Sequence, residues 1–247
     1  TGLVDHALKK CPDGSYLHVA SGNADDGTQN DMAHIWRYDS DFNVLDYQPF
    51  TAGIGTHSHN DPNLICSNID VGVAFSIQGF DFATDFFRLN SSLEVEEIIA
   101  MEPYPRANGG AMLTDELENK VYSIGMAHGR PLHINTYDDN WTLIDAKEVS
   151  ILEQPLRAYW PQGFIEVGEY YLIAHMGKDD AWMGSDKGDV FLTVMDKQFD
   201  VVDQYRVTTY EDGQAAMRPW IARRGSQLLI SFDAYNEQMI VEAALDL

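Results

Sequence analysis

The run His57-Ser58-His59-Asn60-Asp61-Pro62-Asn63 places two imidazoles, a carboxylate and two amides within seven positions. Such a run can supply a nucleophile, Asp61, and a proton-transfer base, His59. Three further runs set arginines beside aromatic or amide groups: Arg106-Ala107-Asn108, Arg157-Ala158-Tyr159-Trp160-Pro161-Gln162 and Met217-Arg218-Pro219-Trp220. A fifth, Asp5-His6-Ala7-Leu8, stands near the start. Each run offers a group that is or can be cationic: His6, His57 or His59, Arg106, Arg157 and Arg218. The chain holds nine arginines, and three of them fall in these runs. A guanidinium grips a carboxylate through two parallel hydrogen bonds, while Tyr159, Trp160 and Trp220 offer flat rings to the C–H faces of a sugar. The candidate binding set is therefore His6, His57, Asn60, Arg106, Asn108, Arg157, Trp160, Gln162, Arg218 and Trp220, with Asp233 from a neighbouring loop. The candidate catalytic set is Asp61, His59 and Tyr159. For each arginine the competing reading is an ion pair that ties neighbouring strands together.

These runs gain meaning from the elements that carry them. One phrase recurs four times: a strand, an Asp or Asn turn, a large apolar residue, then alternating apolar residues. Its copies are centred on Phe42, Leu93, Trp141 and Phe199, a period of about 50 residues. A second phrase, apolar strand, polar turn, apolar strand, occurs five times. Its turns are Pro12-Asp13-Gly14-Ser15, Asn68-Ile69-Asp70, Glu116-Leu117-Glu118-Asn119, Glu166-Val167-Gly168-Glu169 and Arg223-Arg224-Gly225-Ser226. Two hairpins per period make a four-stranded antiparallel blade. Five such blades predict an all-β, five-bladed β-propeller around a central channel, one domain over 1–247. The five chemistry-bearing runs then open the five innermost strands, at one end of the channel. The fifth blade lacks an outermost strand in the tail, and Thr1-Gly2-Leu3-Val4-Asp5 is expected to supply it.

Composition bounds the partners. Sixteen Lys and Arg stand against thirty-nine Asp and Glu, a formal charge of −23 over 247 residues. That field repels phosphates, so nucleic acid and anionic lipid are excluded as default partners. No run of about 18 apolar residues is present, so no helical membrane insertion is expected. The chain begins at Thr1, consistent with a processed, extracellular or periplasmic protein. Cys11 and Cys66 neither make a disulfide framework nor show metal-ligand spacing. His6, His59 and His175 could hold a divalent metal in the channel; no other cofactor is implied. Asp25-Asp26-Gly27-Thr28-Gln29-Asn30-Asp31 lacks the bidentate acid of a calcium loop and reads as a polar turn.

The motif Asn60-Asp61-Pro62-Asn63-Leu64 resembles the Asn-Asp-Pro-Asn motif of invertases. Tyr170-Tyr171-Leu172 after Gly168 is similar to an arabinanase strand pattern. Both belong to the furanosidase-type glycoside hydrolases, which are five-bladed propellers. The resemblance implies Asp61 as nucleophile. Those enzymes need two or three acids, yet the matching runs at Arg106 and Arg157 hold none, leaving Asp5, Asp233 or Glu102 as the second carboxylate. Three readings follow. The chain is a glycoside hydrolase, or a lyase in which Arg157 or Arg218 neutralises a uronate while His59 or Tyr159 abstracts a proton. Alternatively it is a non-catalytic, lectin-like or ligand-sensing propeller. The runs differ from blade to blade, which favours one composite site over repeated ones.

Overall fold

The computed structural model describes residues 3–22, 32–50, 58–78, 83–101, 110–126, 132–149, 157–178, 188–209, 216–234 and 237–244. These form nineteen strands and no helix. Sheet 1 comprises β1 (Leu3–Lys10), β2 (Tyr16–Gly22), β3 (Met32–Tyr38) and β4 (Val44–Phe50). Sheet 2 comprises β5 (Ser58–Cys66), β6 (Val71–Gln78), β7 (Ala83–Leu89) and β8 (Val95–Ala100). Sheet 3 comprises β9 (Gly110–Asp115), β10 (Lys120–Met126), β11 (Leu132–Tyr137) and β12 (Leu143–Val149). Sheet 4 comprises β13 (Arg157–Val167), β14 (Tyr170–Lys178), β15 (Asp189–Met195) and β16 (Val201–Arg206). Sheet 5 comprises β17 (Ala216–Arg224), β18 (Gln227–Ala234) and β19 (Glu237–Ala244). Each sheet runs in simple sequence order, and the fold is a five-bladed β-propeller.

The predicted strand supply from the N-terminus is overturned. Leu3 to Lys10 is one strand, and it pairs along β2 from Leu3 opposite Gly22 to Lys10 opposite Tyr16. Sheet 5 has three strands among the described residues. The tail residues Leu3 and Asp5 are better satisfied in the ladder of their own sheet, a hairpin partner being closer along the chain than any strand of sheet 5.

The described residues divide into two compact units. One is Thr1–Asn108 with Thr114–Tyr122 and Thr136–Ile144; the other is Gly109–Leu113, Ser123–Asn135 and Asp145–Leu247. In the first, Leu17, Val19 and Ile35 of sheet 1 and Val73, Phe86 and Phe87 of sheet 2 are buried. In the second, Leu172, Val190, Leu192 and Val194 of sheet 4 pack on Leu228, Ile230 and Phe232 of sheet 5. The third strands β11 and β15 are buried throughout, whereas the fourth strands β8, β12 and β16 are largely exposed. First strands are therefore inner and fourth strands outer.

The marker residues of the outer hairpins have a structural reason. In each, the turn's first residue accepts backbone N–H groups on its side-chain oxygen. Asp39 takes those of Asp41 and Asn43, Asn90 those of Ser92 and Glu94, Asp138 those of Asn140 and Thr142, and Asp196 those of Gln198 and Asp200. The fourth residue then lies in the left-handed region: Phe42, Leu93, Trp141 and Phe199 have φ of 61°, 59°, 60° and 60°. Glycine is usual there, and a side chain costs about 1–2 kcal/mol. Burial offsets the cost in three of the four, at 2% exposure for Leu93, 7% for Trp141 and 8% for Phe199; Phe42 is 56% exposed. Trp141 stacks on Phe86 of sheet 2 with centroids 4.0 Å apart. Its indole N–H donates to the Asp70 carboxylate at 2.8 Å, which also receives Arg88 at 2.8 Å. Phe199 stacks on Tyr171 at 4.9 Å. In sheets 2, 3 and 4 the left-handed residue is thus a plug, which is why the position reads there as large and apolar.

Candidate functional site

The inner strands share an irregularity. The β1–β2 register shifts between Leu3 and Asp5, β5–β6 between Asn60 and Asn63, β13–β14 between Tyr159 and Gly163, and β17–β18 between Met217 and Trp220. Three of these bulges contain a proline: Pro62, Pro161 and Pro219. Proline has no N–H to give the ladder, so within a sheet it is confined to edges and bulges. Bulges bend the strand and re-aim a side chain, and they gather at functional rims. The residues held in them are Val4, Asp61, Trp160 with Gln162, and Arg218.

Arg218 carries the clearest local signature. Its φ is +52°, a costly conformation for a long side chain, and the following proline restricts it further. Its side chain is half-buried, as are those of Trp220 and Asp233. Asp233 lies on β18 opposite Met217, next to the bulge. In the same unit Gly163 ends the β13 bulge, where a Cβ would come within 2.6 Å of the Ile221 nitrogen and Cγ2. The missing side chain lets β13 and β17 touch directly beyond their bulges. It thereby sets Trp160-Pro161-Gln162 beside Arg218-Pro219.

The placement of the remaining sequence-derived candidates follows. Asp61, His59 and Asn60 lie within β5, and Arg157, Tyr159, Trp160 and Gln162 within β13; for these seven the backbone alone is described. Asp61 sits at the fourth position of its strand rather than at its start. His6 is exposed on β1, its ring 6.2 Å from that of His18. His57, Arg106, Asn108 and Glu102 lie outside the described residues, as does the Asp25–Asp31 turn.

The metal reading does not survive for His175. Its ring is buried in sheet 4, stacked on Phe191, with Nε2 2.8 Å from the Thr193 hydroxyl and Nδ1 3.2 Å from the Met176 carbonyl. Both nitrogens are occupied, and burial pushes its pKa down to about 4. No cluster of three or more His, Cys, Asp or Glu able to hold a metal occurs among the described residues.

Two features were missed in the sequence. Cys11 and Cys66 form a disulfide across 55 residues. Both directly precede the turn of their inner hairpin, so their spacing matches the repeat period, which was the available signal. The recurrence of X-Pro inside apolar inner strands was the signal for the bulges. Four other arginines are engaged in ion pairs. Arg37 binds Asp13, Arg88 binds Asp70 and Glu97, Arg206 binds Asp189 and Arg224 binds Glu242. None of these four arginines belongs to the runs that open the inner strands.

No protein-family profile matches the chain, and no curated protein matches it. Solved structures do. The exo-beta-1,3-galactanase from Phanerochaete chrysosporium, in complex with beta-1,3-galactotriose, matches with a TM-score of 0.64 at 11% identity, over 98% of this chain and 60% of that one. The alpha-L-arabinanase of Cellvibrio cellulosa matches with a TM-score of 0.59 at 12% identity, over 99% of this chain and 92% of that one. The fold is that of the five-bladed glycoside hydrolase propellers. A subtype N10 neuraminidase-like protein from a little yellow-shouldered bat virus also matches, with a TM-score of 0.53 at 12% identity, over 76% of this chain and 57% of that one. The chain spans less than two thirds of the galactanase and of the neuraminidase-like protein. Among the described residues no helix is long and apolar enough to cross a membrane.

Proposed function

We propose that the protein binds and cleaves a glycan, an anionic one, in one composite site built from the bulged ends of its inner strands, within a single propeller domain over 1–247. The observation that carries this reading is the recurrence of the bulge with a different side chain in each: Val4, Asp61, Trp160, Arg218. Repeated lectin sites would keep one side-chain type at that position. One acid, one aromatic and one cation instead suit three parts of a single acidic sugar. The fold it shares with a galactanase crystallised with galactotriose, and with an arabinanase solved with arabinohexaose, supports an oligosaccharide ligand.

In this reading Arg157 and Arg218 hold the carboxylate of the sugar, and Tyr159, Trp160 and Trp220 stack on its apolar faces. His6, His57, Asn60, Arg106, Asn108, Gln162 and Asp233 complete the polar lining. Asp61 attacks the anomeric carbon in a hydrolase. In a lyase, His59 or Tyr159 removes the proton alpha to the carboxylate. Catalysis takes place outside the reducing cytosol, because a structural disulfide such as Cys11–Cys66 persists in oxidising compartments.

The test is turnover of neutral and uronate-containing oligosaccharides by the unmodified chain, followed by reducing-end release and by absorbance of the unsaturated product of a lyase. Asp61→Asn abolishes reducing-end release if Asp61 is the nucleophile, and His59→Ala abolishes the absorbance signal if the protein is a lyase. A non-catalytic ligand-binding propeller is the second reading, favoured by the absence of an acid from the Arg106 and Arg157 runs. It predicts binding with no turnover of any substrate.

A further inference from the structure

The Cys11–Cys66 bridge joins the turn ends of β1 and β5, the inner strands of sheets 1 and 2. Both cysteines line a half-open cavity of about 240 Å³, whose wall is otherwise mainly Leu17, Val71, Leu89 and Leu93, with Arg37 beside them. A cavity of about 150 Å³ already admits benzene, so this one admits a four-carbon dithiol. It does not admit a folded protein. The guanidinium of Arg37 is paired with Asp13 and Ser15, so the cavity wall is apolar apart from a charge-compensated ion pair and the polar residues Asn90 and Ser91.

We propose that Cys11–Cys66 is a thiol–disulfide exchange site of the folded protein, reached by small thiols through this cavity. A thiolate of the reagent attacks one cysteine sulfur, the S–S bond breaks, and the other cysteine leaves as a thiolate that takes up a proton. The second thiol of the same reagent then attacks the mixed disulfide and releases the first cysteine. The chain gains two electrons and two protons, and the dithiol is oxidised to its cyclic disulfide.

Sheets 1 and 2 remain joined without the bridge. β5 packs on β1 and β2, and Leu17, Val73 and Phe87 of the two sheets are buried. Sheet 2 is also held by Trp141 on Asp70, and by Glu116, which accepts from the Asn68 backbone at 3.0 Å and from its side-chain amide at 2.7 Å. Reduction therefore loosens the turn ends of the strands that carry the Val4 and Asp61 bulges, with the fold intact.

The experiment incubates the native protein with dithiothreitol at pH 8, traps thiols with iodoacetamide over time, counts labelled cysteines by mass spectrometry and follows far-UV circular dichroism in parallel. The expected result is two labelled cysteines per chain with unchanged dichroism, at a rate that rises with dithiothreitol concentration. Thioredoxin at equal dithiol concentration is expected to act at least 100-fold more slowly, because it cannot enter the cavity. Leu93→Trp, which fills the cavity, is expected to slow dithiothreitol at least 10-fold. The Cys11→Ser/Cys66→Ser chain reports whether the unbridged fold persists. Three results would overturn the proposal: labelling at a rate independent of dithiothreitol and equal to unfolding, equal rates for dithiothreitol and thioredoxin, or a double serine chain that does not fold.

Discussion

The inner strands have two ends built on different principles. At the turn end of the first unit, several polar groups are committed to structure. Cys11 is bonded to Cys66, Arg37 to Asp13 and Ser15, and Asp70 accepts from both Arg88 and Trp141. At the other end the ladders break. Four inner strands bulge, three of them around a proline, and Arg218 is held at positive φ. Within the inner strands, cross-links between elements gather where the hairpins close and register shifts where the strands open. That division is expected when one scaffold must present side chains that do not optimise its own folding. Substitutions at the turn end should change stability with little effect on binding, and substitutions at the bulges should do the reverse.

The largest stability effects fall at the turn end. Removing the disulfide in Cys11→Ser/Cys66→Ser releases a 55-residue loop and should cost about 4 kcal/mol in the chain-entropy account, read as a fall in the urea midpoint. Trp141→Ala removes a buried plug and one of the partners of Asp70, and should cost about 3–5 kcal/mol. The same change at exposed Phe42 should cost under about 1 kcal/mol. Equal losses at the two positions would break the plug account.

A pH effect of intermediate size comes from His175. Its folded pKa of about 4 lies below the unfolded value of 6.5, so protonation favours the unfolded chain. Its contribution is complete above pH 6.5 and declines as the pH falls toward 4, by about 3 kcal/mol in all. His175→Gln should flatten the stability profile between pH 6.5 and 4, as measured by urea denaturation at each pH; an unchanged slope would assign the acid sensitivity elsewhere. A smaller effect, about 1–3 kcal/mol, is expected for Gly163→Ala, whose methyl would press on Ile221. Because that contact sets the two bulges side by side, ligand affinity should fall as well, and calorimetric titration would show it.

The fold was legible because its signals are local and repeat. Asp39, Asn90, Asp138 and Asp196 fix the outer turns through their own side chains, and the large apolar residues three positions later mark the period. The placement of Leu3 to Asp5 was misjudged because a short apolar tail satisfies either of two sheet edges, and sequence pattern cannot rank them. The disulfide was hidden because pairing depends on the juxtaposition of two blades, which spacing reveals only once the period is applied to the cysteines. Among site residues, Arg218 and Trp220 share the inner strand β17, whereas Asp233, expected on a loop, lies on the strand β18 opposite Met217. His175 was misread because a buried, satisfied imidazole and a ligand look alike in sequence; the Thr193 and Phe191 contacts that distinguish them come from a neighbouring strand.

The most direct test is calorimetric titration of uronate-containing and matched neutral oligosaccharides into the unmodified chain and into Arg218→Ala, at low and high salt, with the fold of both checked by circular dichroism. The account predicts selective, salt-weakened binding of the acidic series, reduced at least tenfold in Arg218→Ala with the fold unchanged. Binding that ignores the carboxylate, or that survives the loss of Arg218, would contradict it and return the bulged arginine to a structural role.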